Sequence, residues 1–198
     1  MTRLIVWRHG QTDWNSTHRV QGTKDVDLNT VGEAQTLAAA ALLADREPTR
    51  IISSDLRRAR RAAEALSALT SLPIEFDSRL RERDYGPWEG LTHEQIQARY
   101  PDEFVRWNSN QEVRITGIES TDDVGKRMVA VFAEAAARDP GGTIVLATHG
   151  AAARAGCGAL LGWPIELWPT MTVLHNSRTT ELRWSANRGW QLHAHNAD

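Results

Sequence analysis

Two short apolar runs, residues 4–7 and 143–148, each lead into a His-Gly step, reading LIVWRHG and TIVLATHG. Runs this short, β-branched and nearly continuous read as strands buried on both faces, since a half-exposed strand would alternate apolar with polar residues. Strands of that kind need helices over them. Residues 30–44 supply one, rich in Ala and Leu, with Thr30 and Glu33 spaced as a capping box. Residues 55–69 read as a second helix behind a strand at 51–54, and 120–138 as a third, turned by Pro140-Gly141-Gly142 into the strand at 143–148. An extended piece at 74–76, a helix at 151–161 stopped by Gly162-Trp163-Pro164, and closing strands at 172–175 and 179–184 complete the pattern.

Strands alternating with helices predict an α/β fold, a three-layer sandwich with a mostly parallel central sheet and helices on both faces. A length of 198 residues suits one domain better than two. The expectation is a single domain over 1–198. Within it, 81–119 lacks regular periodicity apart from short helices at 93–100 and 101–107, and reads as an insertion covering one end of the sheet.

The charge balance narrows the partners. A formal net charge of −2, with acidic and basic residues mixed along the chain, gives no footprint for nucleic acid or for an anionic membrane surface. The local exception is Arg57, Arg58, Arg60 and Arg61, of which all but Arg58 read as an exposed helix face. The lone cysteine, Cys157, excludes an internal disulfide and a cysteine-based metal cluster, and a reducing, cytoplasmic setting is expected. Residues 4–7 are too few for a signal-peptide core or a membrane span.

In an open α/β sheet, ligands bind beyond the carboxyl ends of the strands. That edge should gather Arg8-His9-Gly10, the loop 54–58, and His149-Gly150. Two guanidinium groups and two imidazoles in one place suit a dianionic phosphate, because the arginine fork matches phosphate oxygens in geometry and charge. Gly10 and Gly150 allow the backbone to come close, and a helix starting after Gly150 points free amides at an anion. No metal-ligand spacing is present, so neither metal nor cofactor is expected.

The blocks LIVWRHGQTDWN at 4–15, Gln21-Gly22, DLNTVG at 27–32, SSDLRRA at 53–59, LRERDYGPWEG at 80–90 and ATHG at 147–150 occur in the order found in the histidine phosphatase, or phosphoglycerate mutase-like, superfamily. The chain resembles that family over nearly its whole length. The resemblance implies that His9 is a nucleophile forming a phosphohistidine, that Arg8 and Arg58 clamp the phosphate, that His149 stabilises charge on the transferring group, and that Glu82 donates the proton. It further implies Asn15 and Gln21 as neutral phosphate donors, amides near Gly22 and Ala151 as helpers, and Arg83 and Tyr85 as readers of an anionic substrate. A homodimer is compatible with the family.

The implied reaction is metal-independent hydrolysis of a small phosphomonoester, a phosphoglycerate or sugar phosphate ester. RHGQTDWN, SSDLRRA and GLTHEQI also resemble glucosyl-3-phosphoglycerate phosphatases. Two other readings stand beside it: a cofactor-dependent phosphoglycerate mutase, opposed by the compact span from Glu82 to His149, and an inactive phospholigand-binding module, opposed by the presence of all five catalytic side chains. Trp14, Trp88 and Trp168 are candidates for an aromatic wall, Glu89 for a structural partner of a nearby basic group, and the remaining histidines for structural roles.

Overall fold

The computed structural model describes residues 1–198. One six-stranded sheet organises the chain. It comprises β1 (Thr2–Arg8), β2 (Arg50–Ser53), β3 (Ile74–Phe76), β4 (Thr143–Thr148), β5 (Thr179–Ser185) and β6 (Gly189–Ala197), in the order β3-β2-β4-β1-β5-β6. The first four are parallel, while β5 runs antiparallel to both β1 and β6. The expected mostly parallel sheet is therefore present, and β4, with every residue buried, lies near its middle.

Side chains alternate across a sheet, which sorts each apolar run onto two faces. Leu4, Val6, Ile52, Ile144 and Leu146 pack on one side against α6 (Thr121–Arg138) and α7 (Gly150–Leu160), through Met128, Phe132, Ala152 and Ala153. Ile5, Trp7, Ile51, Val145 and Ala147 pack on the other against α2 (Thr30–Ala44) and α3 (Arg57–Thr70), through Ala40, Leu43, Ala62 and Leu66. Cover on both sides is why these strands read as unbroken apolar runs. None of the helices is long and apolar enough to cross a membrane.

A third, smaller core lies in the irregular region, where Trp88 and Ile96 are buried among Tyr85, Leu91, Tyr100, Phe104 and Trp107. This cap carries α4 (His93–Arg99), which opens on a Thr92–Gln95 capping box, and α5 (Pro101–Asn108), which opens on a proline. A single turn of helix, α1 (Asp13–Ser16), follows β1.

Three expectations need correction. The α2 N-cap is Asn29, whose side chain accepts the Gly32 amide, so the Thr30–Glu33 box does not form; Glu33 instead pairs with Arg61. Residues 172–175 are not a strand, because a 3₁₀ segment at Ile165–Thr170 feeds them in as a loop. The strand that closes the sheet is β6, whose alternation is blurred because it lies at the sheet's edge and carries polar residues such as Gln191, His193 and His195.

Why α7 is built of glycine and alanine is plain from its contacts. A Cβ on Gly156 would lie 2.7 Å from the Met128 Cβ and 3.0 Å from the Phe132 ring, so α6 and α7 approach over a surface without side chains. Helix propensity alone favours Gly156→Ala by about 0.8–1.0 kcal/mol, whereas overpacking costs about 1–3 kcal/mol. Net destabilisation is expected in urea unfolding of Gly156→Ala, and a gain in stability would contradict this packing.

Candidate active site

The site is assembled by strand register. Arg8 of β1 lies opposite Thr148 of β4, so the next residue on each strand, His9 and His149, emerges at the same level. The His9 amide continues the ladder by donating to the Thr148 carbonyl at 3.2 Å. The two rings lie 5.2 Å apart, edge to face, and both are buried. Gly10 must be glycine here, since a Cβ would lie 2.2 Å from the Gly32 carbonyl oxygen.

Hydrogen bonds assign the tautomers, because a carbonyl only accepts. His9 Nδ1 is 2.7 Å from the Gly10 oxygen and therefore carries the proton, which leaves Nε2 as a lone pair. His149 Nδ1 accepts from Arg58, and its Nε2 lies 2.9 Å from Ser54 Oγ. Burial, reinforced by the charges of Arg58 and Arg8, holds the His9 imidazolium well below the usual histidine range. His149 is depressed the same way, by burial first and then by Arg58. Both rings are neutral at neutral pH.

Arg58, at the start of α3, joins them. Its Nε lies 3.2 Å from both His9 Nε2 and His149 Nδ1, while its Nη atoms donate to the Lys24 and Gly22 carbonyls at 2.6 and 2.8 Å. Burial lowers its pKa to about 10, against the opposing pull of Glu82, so the guanidinium stays charged. Arg8 donates through Nη1 to the Leu174 carbonyl at 2.7 Å, and its buried Nε has no partner. Gly150 makes room for it, as a Cβ there would come within 3.3 Å of the Arg8 Cζ.

Glu82 reaches the same place from the cap. Its carboxyl oxygens accept the Arg83, Ala151 and Ala152 amides at 2.9, 3.1 and 2.8 Å, so it sits on the first turn of α7. Thr148 Oγ1 donates to the Leu80 carbonyl, and Arg127 donates to the carbonyls of Arg79, Arg81 and Glu82, which fastens the segment carrying it.

The neutral candidates divide. Gln21 is buried and its Oε1 has no partner. Asn15 is held by the Thr12 amide and by Asn176, whose Nδ2 also donates to the His9 and Gly10 carbonyls. Gly22 takes a positive φ of 54° and gives its carbonyl to Arg58, and the Ala151 amide is occupied by Glu82.

Arg83 and Tyr85 face a neighbouring cavity of about 270 Å³, with Trp107, Ala151, Arg154 and Trp168 also in its wall. Arg83 is already engaged, donating to the Glu119 carbonyl at 2.6 Å and to Glu112 at 2.8 Å. Tyr85 keeps its proton, its phenol pushed up to about 12 by burial and then by Glu82. Of the three tryptophans that were candidates for an aromatic wall, only Trp168 lines this cavity; Trp88 lies in the cap core and Trp14 sits beside Gly90.

Glu89 accepts the Thr23 amide and lies 3.8 Å from Lys24, a structural partner as expected. Arg57 and Arg61 are exposed and paired with Asp25 and Glu33. Asn176, Arg127 and Arg154 were missed as contributors, and nothing in one sequence marks them; Ser54 lies in the 54–58 loop expected at this edge, and Trp107 in the 106–119 stretch expected to govern substrate choice.

A neutral imidazole nitrogen, the buried Arg58 guanidinium, the partly buried Arg8 and a helix N-terminus meet at one point, so the site can hold a phosphoryl group and attack it in line. The model of the histidine phosphatase superfamily, branch 1, matches residues 4–198. The glucosyl-3-phosphoglycerate phosphatase of Mycobacterium tuberculosis is 39% identical over 98% of this chain and 94% of its own. The phosphatase PhoE of Bacillus subtilis is 32% identical over 93% and 92%. The solved structure of the mycobacterial glucosyl-3-phosphoglycerate phosphatase with VO3 superposes with a TM-score of 0.93 at 38% identity, covering 99% of each chain.

Neutral burial of two histidines has a cost in acid. Below about pH 6.5 their unfolded forms take up protons while the folded ones do not, so stability falls as pH falls, by about 1.4 kcal/mol per pH unit for each histidine. Denaturant unfolding between pH 7.5 and 5.5 should show this loss, and His149→Asn should reduce it. An unchanged pH dependence in the variant would contradict the neutral assignment.

Proposed function

This chain belongs to the histidine phosphatase superfamily, branch 1, and we propose that it removes phosphate from a small phosphorylated acid of the glucosyl-3-phosphoglycerate class through a phosphohistidine on His9. It is a phosphomonoesterase. The observation that carries the mechanism is the unprotonated His9 Nε2, directed at the Arg58 guanidinium where a phosphate would lie. A nucleophile already stripped of its proton needs no separate base.

In the first half of the reaction, the His9 nitrogen bonds to phosphorus as the bond to the ester oxygen breaks. Arg8 and Arg58 offset charge on the equatorial oxygens, and His149, a hydrogen-bonded neighbour of Arg58, completes the wall. The departing alkoxide takes a proton from Glu82, which enters this step as the carboxylic acid and leaves it as the carboxylate. In the second half, water attacks phosphorus, the N–P bond breaks, and Glu82 takes the water's proton. His9 and Glu82 are thereby restored.

The Glu82 hydrogen bonds give this cycle a physical detail. A phosphate oxygen and the Glu82 carboxylate compete for the Ala151 amide, so substrate binding displaces Glu82 from that contact toward the leaving group. The substrate class rests on the mycobacterial relative and on the cavity beside Ala151, whose Trp107 and Trp168 offer apolar faces for a sugar ring. Arg83, which with Tyr85 was expected to read an anionic substrate, is spent on the Glu112 carboxylate and the Glu119 carbonyl. A single, buried, unpaired cysteine suits a cytoplasmic location.

The test varies the leaving group. With chelator present, Glu82→Gln should slow phosphate release from glucosyl-3-phosphoglycerate about 10²–10⁴-fold, and should slow p-nitrophenyl phosphate, whose leaving group needs no proton, much less. An equal loss on both would remove Glu82 as the proton donor. Failure of the wild type to cleave the sugar ester, with good activity on simpler esters, would overturn the substrate class.

A further inference from the structure

The cavity beside the phosphate site contains two arginines in very different states. Arg83 is buried and held by Glu112 and the Glu119 carbonyl. Arg154 is half-buried in the same wall, and its guanidinium makes neither a hydrogen bond nor an ion pair. It is close enough to Tyr85 for its charge to act on the phenol. A half-buried cation without an anion is unusual, because the cost of partial desolvation is normally offset by a partner.

Its position on α7 supplies the geometry. Ala151, Arg154 and Ala155 all face the cavity, as residues three and four apart on a helix do. Ala151 stands at the end of α7 where the phosphate is placed, and Arg154 one turn, about 5.4 Å, further along. A phosphoglycerate spans a comparable distance between its phosphorus and its carboxylate carbon. The other charged groups in the wall are Glu112, committed to Arg83, and Glu166, which lies beyond ion-pair reach of Arg154.

We propose that Arg154 is the residue that reads the carboxylate of the substrate, its free guanidinium standing one helical turn from the phosphate-binding end of α7 in the wall of the adjoining cavity. This rests on the phosphatase reading above and assigns the substrate's second anion to a residue outside the catalytic group. Arg83 then shapes the cavity through its bonds to Glu112 and Glu119. Arg154 supplies the selective charge.

Two esters that differ only in the group concerned provide the test: 3-phosphoglycerate, and glycerol 3-phosphate, which has a hydroxymethyl in place of the carboxylate. The wild type should prefer the first in kcat/KM. Arg154→Met, which keeps the apolar stem, should cut that preference about 10- to 100-fold, the usual value of a charge-assisted hydrogen bond, with the change in KM. Arg154→Lys should retain part of it. Equal losses on both esters in a folded Arg154→Met variant, or no preference in the wild type, would overturn the assignment while leaving the phosphatase reading standing. A wild type that cleaves neither these esters nor glucosyl-3-phosphoglycerate would overturn both.

Discussion

One guanidinium holds the centre of this molecule together. Arg58 Nε lies within hydrogen-bond distance of both active-site imidazoles, and its remaining donors grip the backbone of the 20s loop. The arginine sits at the start of α3, one histidine follows β1 and the other follows β4, so three separate stretches of chain converge on a single side chain. A buried charge with only neutral partners is expensive. Glu82 stands close enough to ease it, and the phosphate we propose to bind there would ease it further.

The sheet makes that convergence possible. Parallel pairing of β1 with β4 in the register Arg8 to Thr148 puts the two histidines side by side, and a slip of one residue would send one of them to the opposite face. Shape rather than polarity guards the register, since a slip of β1 would exchange Leu4 and Val6 for Ile5 and Trp7 against α6 and α7 and force an indole into space packed for smaller side chains. Packing thus fixes the spacing of the chemistry. The tautomer of His9 is fixed by a carbonyl only one residue away, so the nucleophile we propose is prepared by local backbone geometry.

Much of this was legible in the amino-acid sequence, for a definite reason. The buried strands advertise themselves as continuous apolar runs, and His-Gly at the end of two of them marks the ligand edge of the sheet. Arg58 could be separated from its exposed neighbours only through its block, because periodicity treats all four arginines alike. The C-terminal edge strand was missed, and a loop was read as a strand, since polar residues on an exposed edge carry little pattern. Arg154 and Asn176 were invisible because their roles come from contacts across the fold; one lies in an Ala-rich helix and the other in a turn. The cap's aromatic residues announced a core but not which of them would face the cavity.

The account stands on covalent chemistry at one nitrogen. Rapid acid-free quenching of the enzyme with a ³²P-labelled phosphomonoester, followed by peptide mapping, measures it directly. The expected result is an acid-labile, alkali-stable phosphate on the peptide containing His9, formed within a single turnover. Release of phosphate with no labelled enzyme at any time, or label on a residue other than His9, would contradict the mechanism.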